Sequence, residues 1–290
     1  MSFISLNFVV LFACTFILYH TLPSRFRKAT LLTASCLFIG FYHLAFLITA
    51  LILTLTTFYL GKWIGQAKRE SGMKGIYFSG VCFLVVSWLA FRYADRLTNG
   101  PIERASDMLP QLKSCKATDY ASMVYGMRLI VVGLIKKLIL ADSIAPYIDG
   151  VFGSVYTASG VQLLMACLLY PIELYADFSG YTDIALGGAR MLGFKLSPNF
   201  NRPFIAQTTA DFWRRWHMSL SFWVRDYLYL PLSSNLRGWG QWGVFLSLAL
   251  TFTGLGIWHG AGWNFAVYGL IQGVIIFYEM KTTAFHRRLK

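Results

Sequence analysis

The stretch Gly256-Ile257-Trp258-His259-Gly260-Ala261-Gly262 joins two long apolar segments, and no Asp, Glu, Lys or Arg occurs between Arg237 and Glu279. Apolar segments of roughly 20 residues are long enough to cross a bilayer as helices. An imidazole between two such segments is costly to leave in hydrocarbon, and it titrates near neutral pH, where a general base is useful. His259 is therefore a functional candidate. A histidine that only hydrogen-bonds a neighbouring helix is the alternative.

The overall composition indicates an all-α polytopic membrane protein. Of the 290 residues, 56% are hydrophobic and 13% are charged, whereas about a quarter of the residues of a soluble domain are charged. Apolar runs lie at residues 3–21, 30–61, 76–94, 121–140, 155–175, 242–258 and 264–277. We expect roughly seven to nine membrane-embedded helices, several of them short, tilted or re-entrant. We expect them to form one domain covering residues 1–290.

The net charge of +13 does not indicate a nucleic-acid-binding protein, because the basic residues lie in short connections and not along one soluble face. Cytoplasmic loops of membrane proteins carry an excess of Lys and Arg, which explains the distribution better. Residues 30–61 are long enough for a tight helix pair, and basic clusters flank this run: Arg25, Arg27 and Lys28 before it, and Lys62, Lys68, Arg69 and Lys74 after it. A hairpin there places the N-terminus outside the cytoplasm. The first run lacks a small-residue cleavage site and is expected to be a retained helix.

The segment after Pro171 is unusually polar for a membrane helix. Glu173 and Asp177 stand four residues apart and would share one helical face, where two carboxylates repel unless they have cationic partners or a raised pKa. The candidate cations nearest in sequence are Arg190, Arg214 and Arg215. Both a structural network of ion pairs and a catalytic role are compatible with this pattern. Three glycines would permit close helix packing or a helix break: Gly187, Gly188 and Gly193.

A second polar segment follows, and its pattern predicts one amphipathic helix. Thr208 and Asp211 form a helix-start signal, and Pro231 is expected to end the helix. One predicted face is aromatic and apolar, with Trp213, Trp216, Leu220, Trp223 and Tyr227 at spacings of three and four. A second face carries Arg214, His217 and Ser221. Such a helix suits the headgroup region or the rim of a cavity, and a plain surface helix is the alternative.

Several common chemistries lack their sequence signals. The chain has no H-E-x-x-H zinc spacing, no G-x-S-x-G nucleophile turn and no phosphate-binding P-loop, so we expect no bound metal and no permanently bound cofactor. Two histidines flanked by tryptophan remain, His217 and His259. They could deprotonate a hydroxyl and orient an acyl carbonyl, or they could relay protons in a transporter.

Five motifs together resemble the membrane-bound O-acyltransferases, specifically the bacterial alginate O-acetylation branch. They occur in the order known for that family, at Gly100 to Ala105, Leu174 to Ala185, Asn199 to Phe204, Asp211 to Ser221 and Gly256 to Gly260. The resemblance implies tilted and short helices around a central funnel. It implies that His259 is the catalytic histidine and that His217 is the second characteristic one, both near the narrow centre of the funnel.

The resemblance also implies substrates and partners. A cytoplasmic thioester, acetyl-CoA or an acyl carrier protein, would supply an acyl group that passes through the bacterial inner membrane to an exported or cell-envelope polysaccharide such as alginate. An extracytoplasmic acetyltransferase would be the protein partner. We assign His259 as general base. His217, together with Arg214, Trp216 or Trp258, would position the acyl donor or polarise its carbonyl. The region of Asp177 and Asp183 would support the site from behind.

The chain departs from the family pattern in two places. Only residues 95–99 join Phe91-Arg92-Tyr93-Ala94 to the Gly100 motif, where the family usually has further transmembrane sequence, and Lys290 follows soon after the helix beyond His259. The sequence thus resembles a shortened member lacking C-terminal helices. The alternatives are transfer of D-alanine or another short acyl group to a different envelope polymer, a proton-coupled transporter, and an inactive remnant.

Overall fold

The computed structural model describes residues 5–42, 44–66, 101–116, 118–260 and 262–288, and every regular element in these ranges is a helix. The predicted all-helical fold is thus confirmed. Contacts divide the chain into two compact units, Met1–Thr98 and Asn99–Lys290. The predicted apolar run 76–94 and the short join 95–99 lie outside the described residues.

The first unit contains the first predicted helix and the predicted helix pair. Helix α1 (Leu6–Thr21) begins after Ser5, whose side chain accepts a hydrogen bond from the Phe8 N–H. A 3₁₀ turn, α2 (Arg27–Tyr42) and α3 (Leu44–Gln66) follow. The rings of Phe8 and Phe38 meet edge to face with centroids 5.8 Å apart, so α1 packs on α2.

The second unit contains nine α-helices within the described residues. In chain order they are α4 (Ala105–Ser114), α5 (Tyr120–Leu134), α6 (Asp142–Gly153), α7 (Gly160–Met191), α8 (Thr209–Arg215), α9 (Met218–Val224), α10 (Leu230–Asn235), α11 (Gly240–His259) and α12 (Trp263–Arg288). Two π-helical segments continue α5 and α9, at Ile135–Ala141 and Arg225–Tyr229. The longest polar stretch of the sequence, residues 96–119, predicts a loop between membrane helices. Helix α4 lies within this stretch, so the prediction is wrong for residues 105–114.

Pairs of glycines bring α5 and α7 into close contact. Gly126 lies against Gly187, and Gly133 lies against Gly180, so the glycines on each helix are seven residues apart. A Cβ at Gly133 would lie 2.6 Å from the Gly180 carbonyl oxygen, and a Cβ at Gly187 would lie 2.5 Å from that of Gly126. Small residues at such positions let helix backbones approach each other. The close packing predicted for Gly187 is therefore confirmed.

Helices α11 and α12 form a second glycine-packed pair. A Cβ at Gly256 would clash with the carbonyl oxygen of Phe265, and one at Gly269 would clash with that of Phe252. These contacts hold the two apolar helices on either side of the His259 turn together. By length and composition α7 and the stretch Arg237–His259 qualify as membrane spans among the described residues. Helix α7 runs without interruption through Pro171, so the apolar and polar halves of this region form one helix.

The predicted single helix between Thr208 and Pro231 is wrong. Thr208 does cap a helix start by accepting a hydrogen bond from Asp211 N–H, but α8 ends at Arg215 and α9 begins at Met218. The break occurs because His217 adopts a left-handed conformation, with φ 42° and ψ 55°. The prediction that Pro231 ends the helix is also wrong, because the π-helical segment Arg225–Tyr229 leads directly into α10, which contains Pro231 and runs to Asn235.

Candidate active site

His217 lies at the break between α8 and α9 and is buried. Its side chain is 4% exposed, and its ring meets that of Phe178 on α7 edge to face with centroids 4.8 Å apart. The next backbone N–H, of Met218, donates to the carbonyl oxygen of Asn199 at 2.8 Å. A left-handed conformation is uncommon for a residue other than glycine, and such strain persists where the surroundings enforce it. Here the Asn199 carbonyl and the packing of α7 enforce it.

Trp216 is held by a cluster of aromatic rings. Its indole stacks on Phe212 at 5.5 Å and an interplanar angle of 17°, and it meets Phe200 edge to face at 5.1 Å. The same indole contacts Tyr175, Phe178 and Phe204. Rings of this size bury large apolar areas, so the cluster fixes the backbone that leads into His217. Trp216, predicted to position substrate, directly precedes His217 and forms part of this apolar aromatic cluster.

Asn199 and Ser219 join three of the five motifs. The Asn199 Oδ1 accepts hydrogen bonds from Ser219 Oγ at 2.5 Å and from Ser219 N–H at 3.3 Å. Ser219 Oγ in turn accepts the backbone N–H of Ile102 at 2.9 Å. Hydrogen bonds between buried polar groups hold the segments that carry them in one arrangement. The network therefore fixes the start of α9 against the segment that precedes α4.

The charged residues of the Pro101 to Ala105 motif act as tethers. Glu103 accepts the Ser197 N–H at 2.5 Å, and Arg104 donates to Asp226 and to the Phe222 carbonyl oxygen at 3.4 Å. Hydrogen bonds from Arg225 and from Arg104 hold the pKa of the Asp226 carboxyl below its usual range. The turn residues of the stretch Asn99 to Ala105 predict a plain interhelical turn. In the structure, the charged residues of this motif bind the loop before α8 at Ser197 and the end of α9 at Phe222.

Trp258 and His259 lie at the end of α11. Trp258 is 5% exposed and packs with Leu220 and Val224 of α9. The ring of His259 lies 4.7 Å from that of Trp258, and His259 itself is exposed. The resemblance implies a histidine enclosed near the centre of a funnel, but the described residues leave His259 open. Residue 261 lies outside the described part of the chain.

Two acidic residues of α7, Asp177 and Asp183, pair with lysines and not with the arginines that the sequence suggested. Lys137 Nζ lies 2.5 Å from Asp177 and 2.7 Å from Asp142, and Lys136 Nζ lies 2.6 Å from Asp183. Both lysines belong to the π-helical segment Ile135–Ala141, a rare geometry that is frequent at functional sites. Lysines take the place of the predicted arginines because α5 and its π-helical continuation pack along α7. This packing brings cations from about 40 positions away in the sequence next to the carboxylates.

The predicted arginines have other partners. Arg214 is exposed and forms its ion pair with Asp211 at 3.8 Å, and Arg215 pairs with the same carboxylate at 2.9 Å. Both arginines thus pair with a carboxylate of their own helix, α8. Helix α8 is also held by α12, where Glu279 accepts the Thr209 N–H at 2.8 Å.

Five distant motifs therefore converge on the short helix α9 and the loop before it. Sequence reasoning did not identify four groups of residues that complete this arrangement: Lys136 and Lys137, Asn199 with Ser219, Asp226, and Glu279. Asn199 and Ser219 lie inside two of the five family motifs, and this membership is the sequence feature that could have identified them. Among the described residues no three His, Cys, Asp or Glu side chains are grouped to hold a metal ion. The arrangement offers imidazoles, an amide and tryptophans in apolar surroundings.

The fold and the site define a helical membrane protein with a buried histidine packed against aromatic rings. Residues 83–290 match MBOAT, the membrane-bound O-acyltransferase family, and the chain belongs to this family. The probable alginate O-acetylase AlgI of Azotobacter vinelandii is 32% identical over 340 residues, which cover 94% of this chain and 67% of that protein.

Two further relatives carry different names. The peptidoglycan O-acetyltransferase of Helicobacter pylori is 39% identical over 200 residues, covering 67% of this chain and 38% of that protein. The teichoic acid D-alanyltransferase of Bacillus subtilis is 32% identical over 191 residues, covering 62% and 47%. This chain thus spans between 38% and 67% of the length of these relatives.

Proposed function

We propose that this protein is a membrane-bound O-acyltransferase that moves an acyl group, in the first instance acetyl, from a cytoplasmic thioester to an exported or cell-envelope polysaccharide such as alginate. The observation that carries the proposal is the convergence of five family motifs on α9, next to the buried ring of His217 and the Trp258–His259 pair. Membership of the family and the names of the relatives support it.

The proposed chemistry is general base catalysis by His259. Its imidazole takes the proton of an acceptor hydroxyl, whose oxygen attacks the carbonyl carbon of the thioester. The new C–O bond forms, the C–S bond breaks, and the proton passes to the leaving sulfur. A positioned base contributes roughly 10²–10⁴-fold to such a step. The exposure of His259 gives an acceptor access to the ring.

His217 is proposed to hold the acyl donor. Its buried position against Phe178 excludes water that would hydrolyse a thioester. Trp216 and Trp258 line apolar surfaces on either side of α9, suited to an acyl chain. Asp177 and Asp183 act indirectly in this proposal, because their lysine partners fix α7 behind the ring of Phe178.

We propose a multi-pass topology in the bacterial inner membrane, with roughly seven to nine embedded helices around a funnel. Basic residues at or near four helix ends of the second unit support a cytoplasmic position for these ends. They are Lys116 before α5, Arg190 at the end of α7, Arg237 before α11 and Lys281 in the C-terminal part of α12. His259 lies at the opposite end of α11 from Arg237. An exported acceptor, presented by an extracytoplasmic acetyltransferase, would reach it there.

The shortened form of the chain is also part of the proposal. The alignment with the Azotobacter protein runs over 340 residues, although it covers only 94% of a 290-residue chain. This difference supports an additional segment in the relative that is absent here, as predicted near residues 95–99. We propose that the motifs around α9 are sufficient for acyl transfer in the shorter chain.

The decisive experiment is acetyl transfer by the purified full chain in proteoliposomes, with labelled acetyl-CoA and an alginate acceptor. His259→Ala should abolish transfer while the amount of folded protein stays unchanged. His20→Ala, the same change at a histidine of the first unit, is the matched control and should transfer normally. Full transfer by His259→Ala would remove the assignment of the base.

D-Alanyl transfer is a second candidate because the D-alanyltransferase of Bacillus subtilis is 32% identical. Replacing the donor with a D-alanyl thioester and the acceptor with teichoic acid tests it in the same vesicles. A proton-coupled transporter would instead accumulate a solute that is lost when the proton gradient collapses, with no thioester present. An inactive remnant would show no change for His217→Ala or His259→Ala.

A further inference from the structure

The buried side-chain amide of Asn199 forms hydrogen bonds through its oxygen but not through its nitrogen in the described part of the chain. The residue is 1% exposed, and its Oδ1 accepts both hydrogen bonds from Ser219. Because the backbone N–H of Ser219 can only donate, the atom that faces it is the amide oxygen, and Nδ2 lies on the other branch. Nδ2 is buried and has no hydrogen-bond partner among the residues that the structure describes.

A buried donor without an acceptor is unusual. Most buried polar groups in proteins are hydrogen-bonded, and leaving one unpaired opposes folding. Ser219 needs an acceptor at this position, which accounts for the amide oxygen of Asn199. It does not account for the NH₂ group. Ser179 Oγ on α7 is a second buried atom without a hydrogen-bond partner in the described part of the chain.

The backbone of Asn199 adjoins the His217 segment. The carbonyl oxygen of Asn199 accepts the Met218 N–H, one residue after His217. Phe200 follows Asn199 and Phe178 precedes Ser179, and the rings of these two phenylalanines lie 5.1 Å apart. The ring of Phe178 also contacts His217. Asn199 and Ser179 are thus the sequence neighbours of the two aromatic residues whose rings meet beside His217.

We propose that Asn199 is a catalytic residue whose Nδ2 donates a hydrogen bond to the carbonyl oxygen of the acyl thioester. This inference rests on the proposed acyl transfer. An amide NH₂ only donates and a carbonyl oxygen only accepts, so the two groups are complementary. The carbonyl oxygen gains negative charge while the C–O bond forms and before the C–S bond breaks. A fixed donor in apolar surroundings stabilises that charge without reorganising.

Kinetics of Asn199 variants test the inference. Asn199→Asp keeps an oxygen for Ser219 but removes the NH₂, and Asn199→Ala is the second variant should the new charge prevent folding. We expect kcat for acetyl transfer to fall about 10²–10³-fold, as for loss of one such donor, with little change in KM. Thr251→Val is the matched control, because Thr251 Oγ1 on α11 is also buried without a partner in the described residues. It should keep the wild-type kcat.

A spectroscopic measurement separates a catalytic donor from a structural one. Acetyl-CoA labelled with ¹³C at the carbonyl is bound to the His259→Ala protein, and its C=O stretch is compared with that in His259→Ala/Asn199→Ala. We expect a lower frequency when Asn199 is present. Equal C=O stretching frequencies in the two proteins would contradict the inference and mean that only water bonds to Asn199 Nδ2. A wild-type kcat in both Asn199 variants of an active protein would mean the same. A wild-type chain that transfers no acetyl group would overturn the proposed function, and this inference with it.

Discussion

Replacing Gly180 with alanine should force α5 and α7 apart. The new Cβ would lie 2.8 Å from the Gly133 carbonyl oxygen, which is 0.6 Å short of the 3.4 Å where ordinary contact begins. It would also lie 3.1 Å from the Lys137 backbone nitrogen. Both neighbours are backbone atoms, so a change of side-chain rotamer cannot relieve the clash. The helices themselves must move.

The expected magnitude follows from two opposing terms. Overpacking a close contact costs typically 1–3 kcal/mol, while alanine in place of glycine within a helix stabilises by roughly 0.5–1 kcal/mol. We expect Gly180→Ala to lower the free energy of unfolding by about 1–2 kcal/mol. The matched control is Gly150→Ala in α6, where a Cβ would meet no atom within 4 Å. That variant should be more stable than wild type by about 0.5–1 kcal/mol.

The assay is unfolding of the full chain in mixed micelles, followed by tryptophan fluorescence as the denaturing detergent is increased. Gly133→Ala should resemble Gly180→Ala, and the double variant should cost less than the sum because both changes strain one contact. Acetyl transfer should fall in parallel, since Phe178 and Asp183 lie on either side of Gly180. Equal stabilisation by Gly180→Ala and Gly150→Ala would show that the two glycines do not set the helix distance.

Three further outcomes are expected. Lys136→Met or Asp183→Asn alone should cost about 1–3 kcal/mol by leaving a largely buried charge without its partner, and the double variant should recover part of that loss in a double-mutant cycle. His217→Gly should be about 1 kcal/mol more stable than His217→Ala in the same unfolding assay, because only glycine adopts φ 42° without strain. The pKa of Asp226 is lowered in the folded state, so its contribution to stability should persist above its ordinary pKa of 3.8 and disappear as the pH falls through the lower folded value. The difference in stability between wild type and Asp226→Asn should therefore shrink only in strong acid; a difference that vanishes near neutral pH would contradict the tether.

Local signals in the sequence predicted several elements correctly. The first apolar run is α1, and the long second run is the pair α2 and α3. Thr208 marks the start of α8 as its spacing to Asp211 indicates. These features depend on residues within one or two helical turns, where spacing and capping chemistry act directly. The acyltransferase family was also recognisable, because its motifs are short contiguous segments.

Tertiary contacts overrode local patterns at the site. The spacing of Trp213, Trp216 and Leu220 fits one continuous helix, but hydrogen bonding of Met218 N–H to Asn199 ends that helix at His217. Spacings of three and four residues show only which face of a helix each residue would occupy if the helix continued. They carry no information about a distant carbonyl that competes for the same N–H.

The sequence by itself determined the helical membrane character, the family and the candidate histidines, because hydrophobicity, helix length and contiguous motifs are properties of neighbouring residues. Only the tertiary structure decided that Lys136 and Lys137 pair with Asp183 and Asp177 of α7, that Asn199 Nδ2 is buried without a partner among the described residues, and that His259 is exposed in the part of the chain that the structure describes. Those features depend on which helices pack together. That packing is set by close glycine contacts between segments about 50 residues apart, such as Gly133 and Gly180, which no local spacing encodes.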